Sequence, residues 1–154
     1  MASIIGVNEL QHTNGTTAAE IKSDGTFYPA GGIVQVQQTV ISGRQQLTVN
    51  TETDITGASV SITPKSSTSK IMVFSTIPSI SSNNATIRLA LYRDNAVVNL
   101  LGYYSSNTTG WAPLNISFQY LDSPSTTSSI TYKIAIQLQN VDDGVWLNYA
   151  NAHA

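Results

Sequence analysis

The sequence predicts an all-β protein: an antiparallel β-sandwich, jelly-roll-like, behind an extended N-terminal arm. Three observations predict it. From Ile33 onward apolar residues recur at every second position, the period of a strand with one buried face. Turn-forming residues interrupt that pattern at short intervals, and no stretch of a dozen residues carries a helical period free of Gly, Pro or β-branched clusters. The polar complement is neutral: 19 Ser, 18 Thr, 12 Asn and 9 Gln stand beside a hydrophobic fraction of 41%, with only 10% charged residues. A disordered polar chain would lack the apolar residues for a core. This one has them, at strand spacing.

The arm is read as residues 1–32 and the sandwich as 33–154. In the arm, Ile4, Ile5, Val7 and Leu10 suggest a short extended segment. Asn14-Gly15 and Asp24-Gly25 are turn dipeptides. Ala18 to Ile21 reads as a second short strand or a helical turn, and Pro29-Ala-Gly-Gly32 as a hinge. Such an arm buries little by itself and is expected to pack on another chain.

Val34, Val36 and Val40 open the period-two region, followed by Leu47 and Val49, then Val60 and Ile62. Gly57 and Pro64 bracket that last strand. Ile71, Val73 and Ile77 alternate with Met72, Phe74 and Thr76, a strand expected to be covered on both faces. Ile87, Leu89 and Leu91 oppose Arg88 and Ala90, and Arg93-Asp-Asn-Ala96 reads as a hairpin turn. Ile116, Phe118 and Tyr120 follow, then a loop at Asp122-Ser-Pro-Ser-Thr126. The longest clean alternation is Ile130, Tyr132, Ile134, Ile136 and Leu138, which places Ile134 and Ile136 in the core. Asp142-Asp143-Gly144 reverses the chain into Val145, Leu147 and Tyr149. Eight or nine strands with short links argue for a sandwich or jelly roll.

Composition also narrows function. Seven cations scattered from Lys22 to Lys133 form no basic run, against a nucleic-acid partner. The absence of Cys excludes disulfides, thiolate catalysis and Cys-ligated metals. The opening residues lack a basic and apolar leader pattern, and no window approaches the apolar run of a membrane span, so neither secretory export nor membrane insertion is expected. His12 and His153 stand apart from each other and from carboxylate pairs. No nucleophile elbow or phosphate-binding Gly loop is present. No catalytic, cofactor or metal residues are therefore assigned, and Asp142-Asp143-Gly144 is read as a turn, not a calcium loop.

Several stretches carry a resemblance. Ala58-Ser-Val-Ser-Ile-Thr-Pro-Lys-Ser-Ser-Thr-Ser-Lys-Ile-Met-Val-Phe74, Leu91-Tyr-Arg-Asp-Asn-Ala-Val97 and Tyr120-Leu-Asp-Ser-Pro-Ser-Thr-Thr-Ser-Ser-Ile-Thr-Tyr-Lys133 resemble virion proteins of tailed phages of cyanobacteria and other marine bacteria. The opening Met1-Ala-Ser-Ile-Ile-Gly-Val-Asn-Glu-Leu-Gln11 is similar to the N-termini of tail-fibre-type proteins of the same phages. The resemblance implies a trimeric jelly roll of the kind found in tumour necrosis factor and complement globular heads. The chain departs from long fibres in having no shaft repeats, and a 32-residue arm reaches at most about 110 Å. A knob, short spike or head decoration fits better.

Tyr103, Tyr104 and Trp111 flank the polar run Ser105-Ser-Asn-Thr-Thr-Gly110 and are the candidate contacts for a host-surface glycan, since aromatics beside amides and hydroxyls can stack on sugar rings. Trp146, out of phase with Val145 and Leu147, is read as an outer-face residue in a subunit contact. The expectation is a non-enzymatic virion protein, a homotrimer of the tail-fibre or spike type attached to other virion proteins through residues 1–32 and assembled in the host cytoplasm. A capsid decoration protein is the alternative, and a free lectin-like module a second one.

Overall fold

The structure, a computed structural model, describes residues 6–21, 23, 25, 27–30, 32–48, 50–81, 86–105, 112–113, 115–140 and 144–148. Among these every regular element is a strand, so the all-β fold is as the alternation predicts. The chain divides into two compact units, Met1–Val36 and Gln37–Ala154.

The first unit is a three-stranded antiparallel meander of β1 (Glu9–Gln11), β2 (Thr17–Ile21) and β3 (Phe27–Pro29). Asn14-Gly15 makes the first turn. Gly15 takes φ 83°, its N–H donates to His12 O at 2.8 Å, and Thr16 N–H donates to Asn14 Oδ1 at 3.0 Å. The segment read as strand or helical turn at Ala18 to Ile21 is strand. Among the described residues of this unit only Ala19 is buried. A sheet that buries one alanine gains little folding energy from its own packing.

The period-two run from Ile33 to Val40 is not a strand. Ile33, Val36 and Val40 stand largely exposed. Alternation states what a segment can pair as, but pairing also needs an open sheet edge beside it, and no described strand lies against this one.

The second unit is a sandwich. One layer is β5 (Thr53–Ile62), β12 (Ile130–Asn140), β8 (Thr86–Arg93) and β9 (Ala96–Ser105), in that order and antiparallel throughout. The other holds β4 (Gln45–Leu47), β13 (Val145–Leu147), β7 (Ser79–Ser81) and β10 (Ala112–Pro113), with β6 (Ile71–Ile77) paired to β11 (Ile116–Asp122). β7 continues β6 across Pro78, and β11 continues β10 shortly after Pro113. Counted so, the described residues of the unit form eight strands. In one sheet the first lies beside the eighth, the eighth beside the third and the third beside the sixth. In the other the second lies beside the seventh, the seventh beside the fourth and the fourth beside the fifth. This is the strand order of a jelly roll, two Greek keys wound over one core.

The core is one cluster. β8 contributes Ile87, Leu89 and Leu91, and β12 contributes Ile134, Ile136 and Leu138. Ile77, Ile116, Val145 and Leu147 face them from the other layer. The Arg93-to-Ala96 turn forms as expected, with Asp94 at φ 55°. Its N–H donates to Thr131 O at 2.7 Å, and its carboxylate accepts from Thr131 N–H at 2.9 Å, which pins the hairpin to β12.

Two strands keep their inward faces only by bulging. Along β5, Ser59 faces Lys133 while Asp54 faces Ala135, so β5 spends five residues where β12 spends two. Gly57 lies in the excess, at φ 81°, a backbone region that suits glycine. It is therefore a bulge inside the strand and not the boundary expected of it. The shift lets Ile55 and Ala58 both point inward although their parities differ. β9 bulges twice against β8, at Val98 and at Leu101. Its inward residues become Val98, Leu101 and Tyr104, spaced by three, and Val97, Leu100 and Tyr103 face out.

Ile136 is almost fully buried between the layers. Replacing it with Ala is expected to lower stability by about 2–5 kcal/mol through lost burial and an unfilled cavity. Chemical denaturation followed by far-UV circular dichroism measures this, and an unchanged midpoint would refute the inward assignment of β12.

Candidate functional site

The two layers present unlike outer faces. On β6 and β11, the residues alternating with the core contributors are Met72, Phe74 and Thr76, and Ser117, Gln119 and Leu121. The register sets Met72 opposite Leu121, Phe74 opposite Gln119 and Thr76 opposite Ser117. Thr76 and Ser117 share a 3.1 Å hydroxyl–hydroxyl hydrogen bond. Phe74 is 70% exposed, Leu121 54% and Met72 46%. The face expected to be covered on both sides of β6 is thus open in the single chain. It forms an apolar strip with a neutral hydroxyl and amide border, and Lys70, bonded to Ser123 Oγ at 2.6 Å, stands nearby. Clustered exposed apolar side chains with a polar rim are typical of a surface that another molecule covers.

The outer face of the β5–β12–β8–β9 layer is charged and tied together. Arg88 and the Tyr92 hydroxyl both donate to Glu52. Lys133 Nζ donates to Asp54 Oδ2 at 2.8 Å and lies 5.4 Å from the centroid of the Tyr92 ring. The bond to Glu52, helped by burial, pushes the Tyr92 hydroxyl above its ordinary pKa. These partly exposed pairs add little to stability. They do keep this face polar.

Among the described residues, one buried charge lies between the layers. Asp122, last residue of β11, is 6% exposed. Its carboxylate accepts from Tyr132 Oη at 2.5 Å, from Arg93 at 2.7 Å and from the Ser123 N–H at 2.8 Å. Tyr132 and Arg93 belong to the opposite layer, so the carboxylate bolts β11 to β12 and β8. Burial alone would raise Asp122, but the bonds from Tyr132 and Arg93 outweigh it and hold the carboxyl below its usual range. Burial, then the bond to Asp122, pushes the Tyr132 hydroxyl well up. The bond to Asp122 also raises Arg93. The carboxylate accepts from three donors and is held ionised beside a tyrosine that keeps its proton, an arrangement that ties the two layers together. The site is structural. The sequence pattern puts Asp122 at the start of a loop, yet it sits in phase with Ile116, Phe118 and Tyr120, and an acid at inward parity is the signal for it.

The glycan candidates separate. Tyr103 stands 59% exposed on β9, opposite Arg88 on the charged face. Tyr104 points the other way, packs against the core and donates its hydroxyl to Leu101 O at 3.3 Å. The two rings cannot share one stacking platform. Trp111 lies outside the described residues, as do Asp142, Asp143, Tyr149 and His153. Trp146 does alternate out of phase with the buried Val145 and Leu147, and the Arg44 guanidinium lies 4.2 Å from its ring centroid. His12 sits in the first turn, where its Nδ1 accepts from Asn14 N–H. Among the described residues no three His, Asp or Glu stand together to hold a metal, and no helix is long and apolar enough to cross a membrane.

Asp122 has a lower pKa folded than unfolded, so its contribution is complete above the ordinary carboxylate pKa near 3.8 and is lost as pH falls through its folded value. Tyr132→Phe removes one donor and is expected to cost about 1.5–3 kcal/mol at pH 7, the worth of a hydrogen bond to a charged group. The loss should shrink as pH falls through the lowered folded value, where the wild-type carboxylate itself takes up a proton. Denaturant midpoints of both proteins from pH 7 to pH 2 check this, and a loss independent of pH would contradict it.

No protein family, no curated protein and no solved structure matches this chain.

Proposed function

We propose that this chain is a non-enzymatic structural subunit of a phage virion, a homotrimer of the tail-fibre or spike type. The copies join through the outer face of β6 and β11, and residues 1–32 attach to other virion proteins. The observation that carries the reading is the exposed cluster of Met72, Phe74 and Leu121 on an otherwise neutral surface. Permanent interfaces are depleted in charge and rich in apolar area. The first unit supports an attachment role, because it buries too little to serve the sandwich as a second core. The resemblance to phage tail-fibre-type proteins supplies the setting.

Host contact is assigned to the side carrying Tyr103. An exposed ring there stands near Arg88 and Glu52, groups able to bond sugar hydroxyls. Weak stacking at one copy becomes useful when three copies act together.

Sedimentation at micromolar concentration should show a trimer and no monomer. Phe74→Asp should yield a folded monomer, because a charge placed on the apolar strip opposes its burial against a second copy. A wild-type protein that sediments as a stable monomer would overturn the reading. Particles carrying Tyr103→Ala with the protein still in place should adsorb to host cells less well. Unchanged adsorption would place the chain on the head as a decoration protein.

A further inference from the structure

The three strands of the first unit carry their apolar residues on one face. The register sets Leu10 opposite Ala19 and Ala19 opposite Pro29, one row across β1, β2 and β3. Two residues further along β2, Ile21 stands opposite Phe27 on the same side. The row between them, Glu9, Glu20 and Tyr28, points the other way. Leu10 is 46% exposed and Phe27 53%, and Ile21 and Pro29 are half-buried. A sheet with one apolar face is stable as one of two or more packed layers, and strands of three to five residues leave nothing in this unit to form the second layer.

The two faces differ in what can lie against them. Glu9 and Glu20 stand directly opposite each other, so a second copy brought against that side would gather like charges. The two apolar rows contain no ionisable group, and the same rows of another copy can meet them without stranding a charge.

The dimensions favour three copies. Neighbouring strands lie about 4.8 Å apart, so three make a wall about 14 Å wide. Three such walls closed into a triangular prism each stand about 4 Å from the axis, close to half the roughly 10 Å spacing of packed sheets. The middle strand of each wall runs nearest the axis, where least room is left. β2 is that strand. Its Ala19 is the smallest side chain of the face, which lets Leu10 and Pro29 lean inward from either side, and Ile21 fills the next layer.

We propose that the first units of three copies pack these faces together around a three-fold axis. Leu10, Ala19, Ile21, Phe27 and Pro29 lie inside the prism, and Glu9, Glu20 and Tyr28 outside it. This prism rests on the trimer reading above and gives the trimer a second interface. The arm then clamps the copies to one another, and its outward row is the side left for other virion proteins.

The chain contains no cysteine, so single cysteines in the full chain report the contact. Ala19→Cys and Ile21→Cys, under mild oxidation or with a short bifunctional maleimide, should each give covalent dimers that level off at two of every three chains. One link joins two copies of a trimer and leaves the third unjoined. Glu20→Cys, on the outward face of the same strand, should stay unjoined. Each variant is sedimented in parallel. A trimer in which neither inward cysteine is joined, or in which Glu20→Cys is joined as well, overturns the prism and leaves the trimer standing. Dimers that take up nearly every chain overturn it too, since the faces then meet in pairs. A monomer in sedimentation removes the trimer reading and the prism with it. Phe27→Asp should raise the concentration at which the trimer dissociates at least about tenfold, by placing a carboxylate among apolar side chains, and Glu20→Gln should leave it unchanged. No change with Phe27→Asp would also overturn the prism.

Discussion

The inner faces of β8 and β12 are the constraint on which the rest of the sandwich depends. They lie side by side at the middle of one layer, and Leu89, Leu91, Ile136 and Leu138 are buried almost completely against Ile77, Ile116, Val145 and Leu147. Every other strand of the unit is placed by what that ridge needs covered. β5 and β9 flank it and must present apolar residues inward although their sequences drift out of phase, so each carries bulges. β6 and β11 cover it from the opposite side. They are fixed there by Asp122, whose carboxylate reaches across to Tyr132 and Arg93. A buried ion of this kind is a weak source of stability but a strong source of register, because any slip leaves a charge unpaired.

What was legible in the sequence follows from that arrangement. The alternations Ile130 to Leu138 and Ile87 to Leu91 are unbroken, so both central strands and their core residues could be read directly. The Asp94-Asn95 turn was legible from side-chain chemistry alone. β9 was not, because its two bulges change the inward spacing from two to three and hide it from any period-two reading. That also explains why Tyr103 and Tyr104 looked like a pair beside a loop, when they stand on opposite faces of a strand. β4, β7, β10 and β13 have two or three residues each, too few to show a period. The segment from Ile33 to Val40 shows the converse error, a strand pattern without a partner edge.

A chain with so few charges has few ways to make its surface specific, and four of them gather in one place. Glu52, Asp54, Arg88 and Lys133 all lie on or beside one outer face, engaged with each other and with Tyr92. The opposite face carries Met72, Phe74 and Leu121 among hydroxyls and an amide. Such a division leaves the two outer faces of the sandwich chemically unlike. The apolar face is the costlier one to leave in water, at about 25 cal/mol per Å² of apolar surface, and the polar face is the cheaper one to leave exposed.

The central claim is that the Met72 face is buried between copies. The sequence contains two methionines, Met1 and Met72, so methyl-labelled protein gives one signal from the face itself and one from elsewhere. Accessibility of the Met72 methyl to a soluble paramagnetic agent, followed over a dilution series by NMR, tests the claim directly. The account predicts a methyl shielded at micromolar concentration that becomes accessible as the protein dissociates. A Met72 methyl equally accessible at every concentration would contradict it.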